Sequence, residues 1–231
     1  MLWDGFFLDI TERKHVEEES KINRQRLRML NKIIQHDLTN DFIVIESAVY
    51  VFKENSNADM LDEIEKRVKK SLATIENYRE YESFIDSNAE LKELNVNELI
   101  NEIIYEFPTV KFNVEGSGYV FADEALFSVF KNLTTNSITH GNSSMINIII
   151  TSHENFIEIR FEDNGQGIPK DIKDKIFDEG FFYGEKGHSG IGLFIIKNII
   201  ESYGGFVSYE DNQPDGAVFV IKLRKVLKQR L

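Results

Sequence analysis

Four short clusters in this chain carry side chains whose types and spacing could do chemistry. The first is His36-Asp37-Leu38-Thr39-Asn40. Position 36 falls two residues from both Ile34 and Leu38, about 200° round a helix from each. The imidazole is therefore expected to face solvent, with the Asp37 carboxylate beside it and the Asn40 amide one turn on. An exposed histidine on a helix is usually only a surface residue, and these neighbours are what raise it. The second cluster is Asn132 and Asn136, four apart and so on one helix face. Amid Phe127, Phe130, Leu133 and Ile138 the pair could line a site, although helical asparagines more often face solvent.

The third cluster is Asp163-Asn164-Gly165-Gln166-Gly167-Ile168-Pro169. A carboxylate at a strand end followed by two glycines lets the backbone turn sharply and approach a flat ligand closely. The same letters also make an ordinary tight turn. The fourth is Gly187-His188-Ser189-Gly190-Ile191-Gly192-Leu193, leading into a helix. Glycines at a helix N-terminus expose N–H donors to a phosphate, and the helix dipole favours the anion. A flexible loop has the same composition. Residues 178–189 hold glycines, aromatics and charges without a period, and read as a lid over a ligand.

These clusters need elements to hold them. Residues 12–83 contain neither proline nor glycine and read as two long helices. Apolar groups recur at Leu27, Leu30, Ile34, Leu38, Phe42, Ile45, Val49 and Phe52, and again at Leu61, Ile64, Val68, Leu72, Ile75 and Tyr78. Spacings of three and four give each helix one stripe. Glu54 to Asp59 is a turn, with Asp59 as the expected N-cap. A single hairpin has little to bury two stripes against, so a four-helix bundle in a symmetric dimer is the economical solution. Packing on the rest of its own chain is the alternative.

From about residue 94 the texture changes. A helix is expected over Val96–Phe107, strands over Val110–Val114 and Tyr119–Phe121, and a helix capped by Asp123 running to about His140. Strands follow at Met145–Thr151 and Phe156–Glu162. A helix over Gly190–Tyr203 stops at Gly204-Gly205, and strands at Phe206–Tyr209 and Ala217–Leu223 complete the pattern. Mostly hairpin-linked strands with helices imply an α+β sandwich, a sheet with helices on one face. Trp3–Ile10 is a short strand-like run, the end of something rather than a unit. The expected domains are thus 1–11 as a remnant, 12–90 and 91–231.

Composition narrows the chemistry. The chain has 231 residues, 42% hydrophobic and 29% charged, a folded composition that argues against wholesale disorder. Cysteine is absent, which excludes disulfides, thiolate zinc sites, iron–sulfur clusters and cysteine nucleophiles, and permits an intracellular address. No apolar run approaches the ~18 residues of a membrane span, and no signal-peptide pattern is visible. The net charge is −12. Residues 1–92 carry 14 basic and 19 acidic side chains, and residues 93–231 carry 13 and 20. Neither part is basic as a nucleic-acid binder usually is. The cations Lys21, Arg24, Arg26, Arg28 and Lys32 read as a solvated helix face. An anionic ligand would need local devices such as backbone N–H groups, a metal ion or a few placed cations.

Taken in order, the four clusters resemble the sensor histidine kinases of two-component signalling, over about residues 12–224. HDLTN resembles the phosphoacceptor box of the dimerisation and histidine-phosphotransfer domain. NLTTN resembles the N box of the ATP-binding domain shared with gyrase, Hsp90 and MutL. DNGQGIP resembles the first glycine box, Ile176-Phe177-Asp178 the F box, and SGIGL the second glycine box, while Gly216 matches the final glycine position. WDGFFLDITERK looks like the last strand of a PAS sensor domain and its exit signature.

The resemblance implies a helical dimerisation hairpin followed by an α+β sandwich of the histidine kinase/Hsp90-like ATPase type. It implies that His36 accepts the γ-phosphoryl group of ATP on a ring nitrogen, with Asp37 as base or ring orienter. Asn136 would hold Mg²⁺ through its amide oxygen, and Asn132 would support the triphosphate. Asp163 would accept a hydrogen bond from the adenine amino group, Gly165 and Gly167 would allow close approach, and Gly190 and Gly192 would frame the phosphates with Lys186 as the lid cation. Ile168, His140, Ile191 and Leu193 complete the implied ATP-binding set. Asp37 and Asn40 form a D-x-x-N like the family's phosphatase motif.

Two positions depart from the family pattern. Thr139 stands where lysine is usual, leaving His140 or Lys186 as substitutes, and His188 stands where the second glycine box usually begins with glycine. The implied protein is a cytoplasmic, homodimeric protein-histidine kinase that passes its phosphoryl group to an aspartate of a response regulator. A net phosphatase of that regulator and a nucleotide-binding scaffold that signals by shape alone are the other readings.

Overall fold

The structure is a computed structural model of the full chain that describes residues 11–86, 90–178, 181 and 191–226. The strand-like run Trp3–Ile10 and most of the expected lid lie outside the described residues. The chain divides into two compact units, Met1–Val68 and Lys69–Leu231.

The first unit is built on α1, Thr11–Asn55, and the start of α2, Asp59–Asp86. With no proline or glycine to interrupt it, α1 runs unbroken for 45 residues. Its turn into α2 differs from expectation. Ser56 takes a left-handed φ of 52°, and its N–H closes on the Phe52 carbonyl at 2.8 Å. The cap of α2 is Asn57, whose side-chain oxygen accepts the Asp59 N–H at 3.0 Å. Asp59 is thus the first helical residue rather than the cap. The asparagine side chain bonds two residues on, an Asx turn that mimics backbone.

Among the described residues of α1 the buried positions are Ile34, Asp41 and Ala48, seven apart, whereas Phe42, expected in the stripe, is 59% exposed. Ile43, Tyr50, Leu61 and Val68 are exposed with it. A lone hairpin covers only one seam per helix, so the second apolar row is left in solvent.

In the second unit a two-stranded antiparallel sheet pairs β1, Lys92–Asn95, with β3, Tyr119–Ala122. β1 has no apolar alternation and was not expected. Between these strands lie α3, Val96–Glu106, capped by the Asn95 side chain, and β2, Lys111–Gly116. Then come α4, Ala125–Thr139; β4, Met145–Ser152; β5, Phe156–Asp163; a 3₁₀ turn at Lys173–Lys175; α5, Ile191–Ser202; β6, Phe206–Asp211; and β7, Ala217–Arg224. Asp123 caps α4 as expected, its carboxylate accepting the Ala125 N–H at 2.9 Å. The Tyr203 hydroxyl donates to the same carboxylate, tying the end of α5 to the start of α4.

The main sheet has the order β2-β4-β5-β7-β6, with β2 and β4 parallel and the other pairs antiparallel. Burial alternates along β5, and Ile157, Ile159 and Phe161 join Ile146, Ile148 and Ile150 of β4 on one inner face. Ile100, Ile103, Leu126, Phe130, Leu133, Ile196 and Ile200 supply the opposing layer from the helices. The architecture is therefore a helical N-terminal region followed by an α/β sheet domain. Among the described residues no helix is long and apolar enough to cross a membrane.

Candidate functional site

In the first unit, the His36 side chain is 68% exposed, as its place off the apolar row requires. Asp37 beside it is only 15% exposed, and its Oδ1 lies 3.2 Å from His36 Nδ1. One turn on, Asn40 Nδ2 sits 3.3 Å from Nδ1 and 3.4 Å from Nε2. All three candidate residues are therefore brought together on one exposed helix surface. Behind them the buried Asp41 carboxylate accepts from Arg67 Nη1 at 3.1 Å, and Arg67 Nε donates to Glu63 at 2.8 Å. The Arg67 hydrogen bond holds the Glu63 carboxyl below the usual carboxylate range, and Glu63 in turn raises Arg67. This pair fixes α2 against the helix that presents His36.

In the second unit, the site is built from α4 outward. Asn132 and Asn136 follow one another by a turn, and Ser137 comes next. The Asn132 amide donates Nδ2 to the Ser128 carbonyl at 3.0 Å, which leaves Oδ1 turned outward. The first turn of α5 faces this pair. A Cβ placed on Gly192 would lie 3.7 Å from Asn132 Oδ1 and 3.9 Å from Asn136 Nδ2. These are ordinary van der Waals distances, so the first turn of α5 lies close against the two amides. Leu193, the next residue, is half-buried.

Asp163, at the end of β5, is 2% exposed. Its Oδ1 accepts the Gly165 N–H at 2.9 Å and the Ala217 N–H at 3.2 Å, and its Oδ2 accepts the Ser137 hydroxyl at 2.8 Å. The backbone around it is packed on backbone. A Cβ on Gly216, whose φ is +123°, would collide with the Asp163 carbonyl oxygen. A Cβ on Gly165 would fall 2.5 Å from the Gly141 carbonyl oxygen. Gly165 therefore brings the turn against the loop after α4, a neighbour within the protein itself. Asn164 clamps the same loop, its Oδ1 accepting from Ser143 Oγ, Ser144 N–H and Met145 N–H at 2.8, 3.1 and 3.0 Å.

His140 ends α4 with its N–H on the Asn136 carbonyl at 2.9 Å, and its own carbonyl takes Gln166 Nε2 at 2.5 Å. It thus lies beside the glycine turn, while Thr139 is exposed. The Ile168 N–H donates to the Tyr209 hydroxyl oxygen at 3.2 Å, and that hydroxyl donates to Asp211 Oδ1 at 3.0 Å. Burial, with help from Asp211, pushes the Tyr209 hydroxyl up to about 12. Lys173 pairs with Asp211, holding that carboxyl below its ordinary value. Lys186, His188 and Gly190 lie outside the described residues, as does the side chain of Ile191.

Sequence reasoning missed Ser137, Asn212 and Tyr209. Ser137 reads as filler in a helix. Asn212 Nδ2 donates to the Asp163 carbonyl at 2.7 Å from a turn whose only signal was Asp-Gly. Tyr209 alternates like any strand residue.

The donor set fits a hard divalent cation shared with a ligand. An amide oxygen is suitable chemistry for Mg²⁺, and among the described residues no cluster of three or more acidic or histidine side chains forms a closed cage. Asn136 turns Nδ2 toward Gly192 in this structure, and a terminal amide swings about a broad two-fold torsion to offer its oxygen.

Residues 122–227 match the family described as histidine kinase-, DNA gyrase B- and HSP90-like ATPases. Sporulation kinase A of Bacillus subtilis is 25% identical over 94% of this chain, which spans 38% of that protein's length. Among solved structures, the histidine kinase ThkA in complex with the response regulator protein TrrA is similar at 25% identity and a TM-score of 0.70, over 96% of this chain and 70% of that one. The catalytic domain of ThkA is similar at 29% identity and a TM-score of 0.53, over 59% of this chain and 99% of that one.

Proposed function

We propose, from the match of residues 122–227 to the histidine kinase-, DNA gyrase B- and HSP90-like ATPase family, that the chain is an ATP-dependent protein-histidine kinase that autophosphorylates His36 in a homodimer. The phosphoryl group then passes to an aspartate of a response regulator's receiver domain. The observation that carries the reading is the double role of α4. Within six residues it sets Asn132 and Asn136 against the first turn of α5 and ties Ser137 to the buried Asp163. One helix thus spans a phosphate-suited end and a base-suited end. A net negative unit can hold an anionic nucleotide this way, through backbone N–H groups, amides and a metal rather than many cations.

At His36, Asp37 Oδ1 lies 3.2 Å from Nδ1, where the carboxylate would hold the ring proton and leave the Nε2 lone pair for attack on the γ-phosphorus. The bond from that phosphorus to the bridging oxygen breaks, ADP departs, and the ring proton passes to the Asp37 carboxylate. Asn136 would hold Mg²⁺, which when bound would neutralise charge on the transferred group, and Asn132 would support the triphosphate. Lys186, Gly190, Ile191, Gly192 and Leu193 would close on the phosphates.

A second activity, dephosphorylation of the regulator, is favoured by the place of the Asn40 amide within 3.4 Å of the imidazole. It would orient a water on the phosphorylated partner. Labelled ATP tests the main reading. It should give an acid-labile, base-stable phosphoprotein that is absent in His36→Gln; a stable label in the variant, or ATP binding without any phosphotransfer, overturns it. Asn40→Ala should slow regulator dephosphorylation and spare autophosphorylation.

A further inference from the structure

Buried hydroxyls on helices usually satisfy themselves on the carbonyl one turn back. Thr134 does so on Phe130 at 2.9 Å and Thr74 on Lys70 at 3.1 Å. Ser137, 3% exposed, does not. Its hydroxyl crosses from α4 to the Oδ2 of Asp163, while its backbone carbonyl takes the Ser143 N–H at 3.0 Å.

A carboxylate offers about four acceptor sites. At Asp163 two backbone N–H groups use those of Oδ1, and Ser137 uses one on Oδ2. One acceptor site remains, on Oδ2. Because the Ser137 proton is already given to Oδ2, the Ser137 oxygen itself shows only lone pairs. The two atoms together form an edge that can accept and cannot donate. Such an edge matches a purine bearing an amino group at position 6 and repels one bearing a carbonyl there.

We propose that Ser137 is a positioning residue that sets nucleobase selectivity by making the Asp163 edge acceptor-only. The inference rests on the nucleotide reading above. Without the hydroxyl, a water takes its place, and water can turn its protons either way. The variant then accommodates a 6-carbonyl by donating to it, so discrimination falls more than affinity. One hydrogen bond to a charged group sets the scale, roughly tenfold in the selectivity ratio.

The test is equilibrium binding of three nucleotides, ATP, GTP and purine riboside triphosphate, which lacks the 6-amino group. The full chain is compared as wild type, Ser137→Ala and Ser137→Thr. The wild type should prefer ATP over both others. Ser137→Ala should lose about tenfold of the preference over GTP and keep the preference over the riboside, which has no carbonyl to accept a proton, and Ser137→Thr, which keeps the hydroxyl, should retain both. Equal weakening of all three nucleotides in Ser137→Ala, or an unchanged preference over GTP, overturns the role of Ser137 while leaving the nucleotide reading standing. A wild type that does not bind ATP, or does not distinguish it from the riboside analogue, overturns both.

Discussion

Replacing Asp163 by Asn separates what the carboxylate does for folding from what it does for a ligand. The amide can keep its oxygen where Oδ1 accepts the Gly165 and Ala217 N–H groups. Its NH₂ then falls where Oδ2 stood, and donates to the Ser137 oxygen, whose hydroxyl simply turns. All three contacts survive, but they become neutral. A hydrogen bond to a charged group contributes about 1.5–3 kcal/mol against about 0.5–1.5 for a neutral one, so three of them lose roughly 3 kcal/mol in total. Relief from burying a charge at 2% exposure offsets most of this. The net cost is about 1 kcal/mol, a fall in Tm of roughly 2–4 °C for a chain of this size.

Binding should respond far more strongly. An adenine amino group would meet a donor in place of an acceptor, losing one charged hydrogen bond and stranding two N–H groups, on the order of 3 kcal/mol or a hundredfold in Kd. Calorimetric titration with ATP and thermal unfolding of the same samples read the two effects side by side. A variant that binds ATP within about threefold of wild type, roughly 0.6 kcal/mol, would refute the assignment of Asp163 to base recognition. A fall in Tm beyond about 10 °C, several kcal/mol by the same scaling, would refute the argument that the amide keeps the three contacts.

Further outcomes follow from other residues. Arg67→Ala removes a cationic partner of the buried Asp41 and should cost about 2 kcal/mol, measured as a lower denaturant midpoint for loss of helical circular dichroism. Asn57→Ala deletes the cap of α2 and should cost about 1 kcal/mol in the same assay. Tyr209 binds its proton more tightly folded than unfolded, so its contribution is fully present below about pH 10 and is lost as pH rises toward about 12. In Tyr209→Phe that alkaline decline should be shallower, and an absorbance titration at high pH should show one late tyrosine fewer. If the wild-type and Tyr209→Phe stability curves are parallel from pH 9 to 12, the tyrosine is not the titrating group.

Much of the architecture was legible because burial leaves a period in the sequence. The alternation of Ile146, Ile148 and Ile150 against Ile157, Ile159 and Phe161 declares two strands that share an inner face. The absence of Pro and Gly over residues 12–83 declares long helices. β1 was illegible because Lys92–Asn95 has only one apolar side chain and is held by pairing to β3. The parallel pairing of β2 with β4 was also hidden, since register and partner depend on contacts far apart in sequence. Phe42 is exposed in the single chain, and a row of apolar residues does not say which of two adjacent seams its own hairpin covers.

The same division runs through the candidate site. The sequence by itself determined which side chains are available: the imidazole with a carboxylate next to it and an amide a turn away, the paired asparagines, the aspartate before its glycines. Those relations are local, and a helix or a strand end enforces them without help. Only the tertiary structure decided what each group is pointed at. It set Asn132 and Asn136 against Gly192 of α5, placed Gly165 on the backbone of Gly141, and brought Ser137, 26 residues away in sequence, to the carboxylate of Asp163. Hydrogen-bond donors are read from letters, but how many of a carboxylate's lone pairs remain open is decided only when the chain has closed around it.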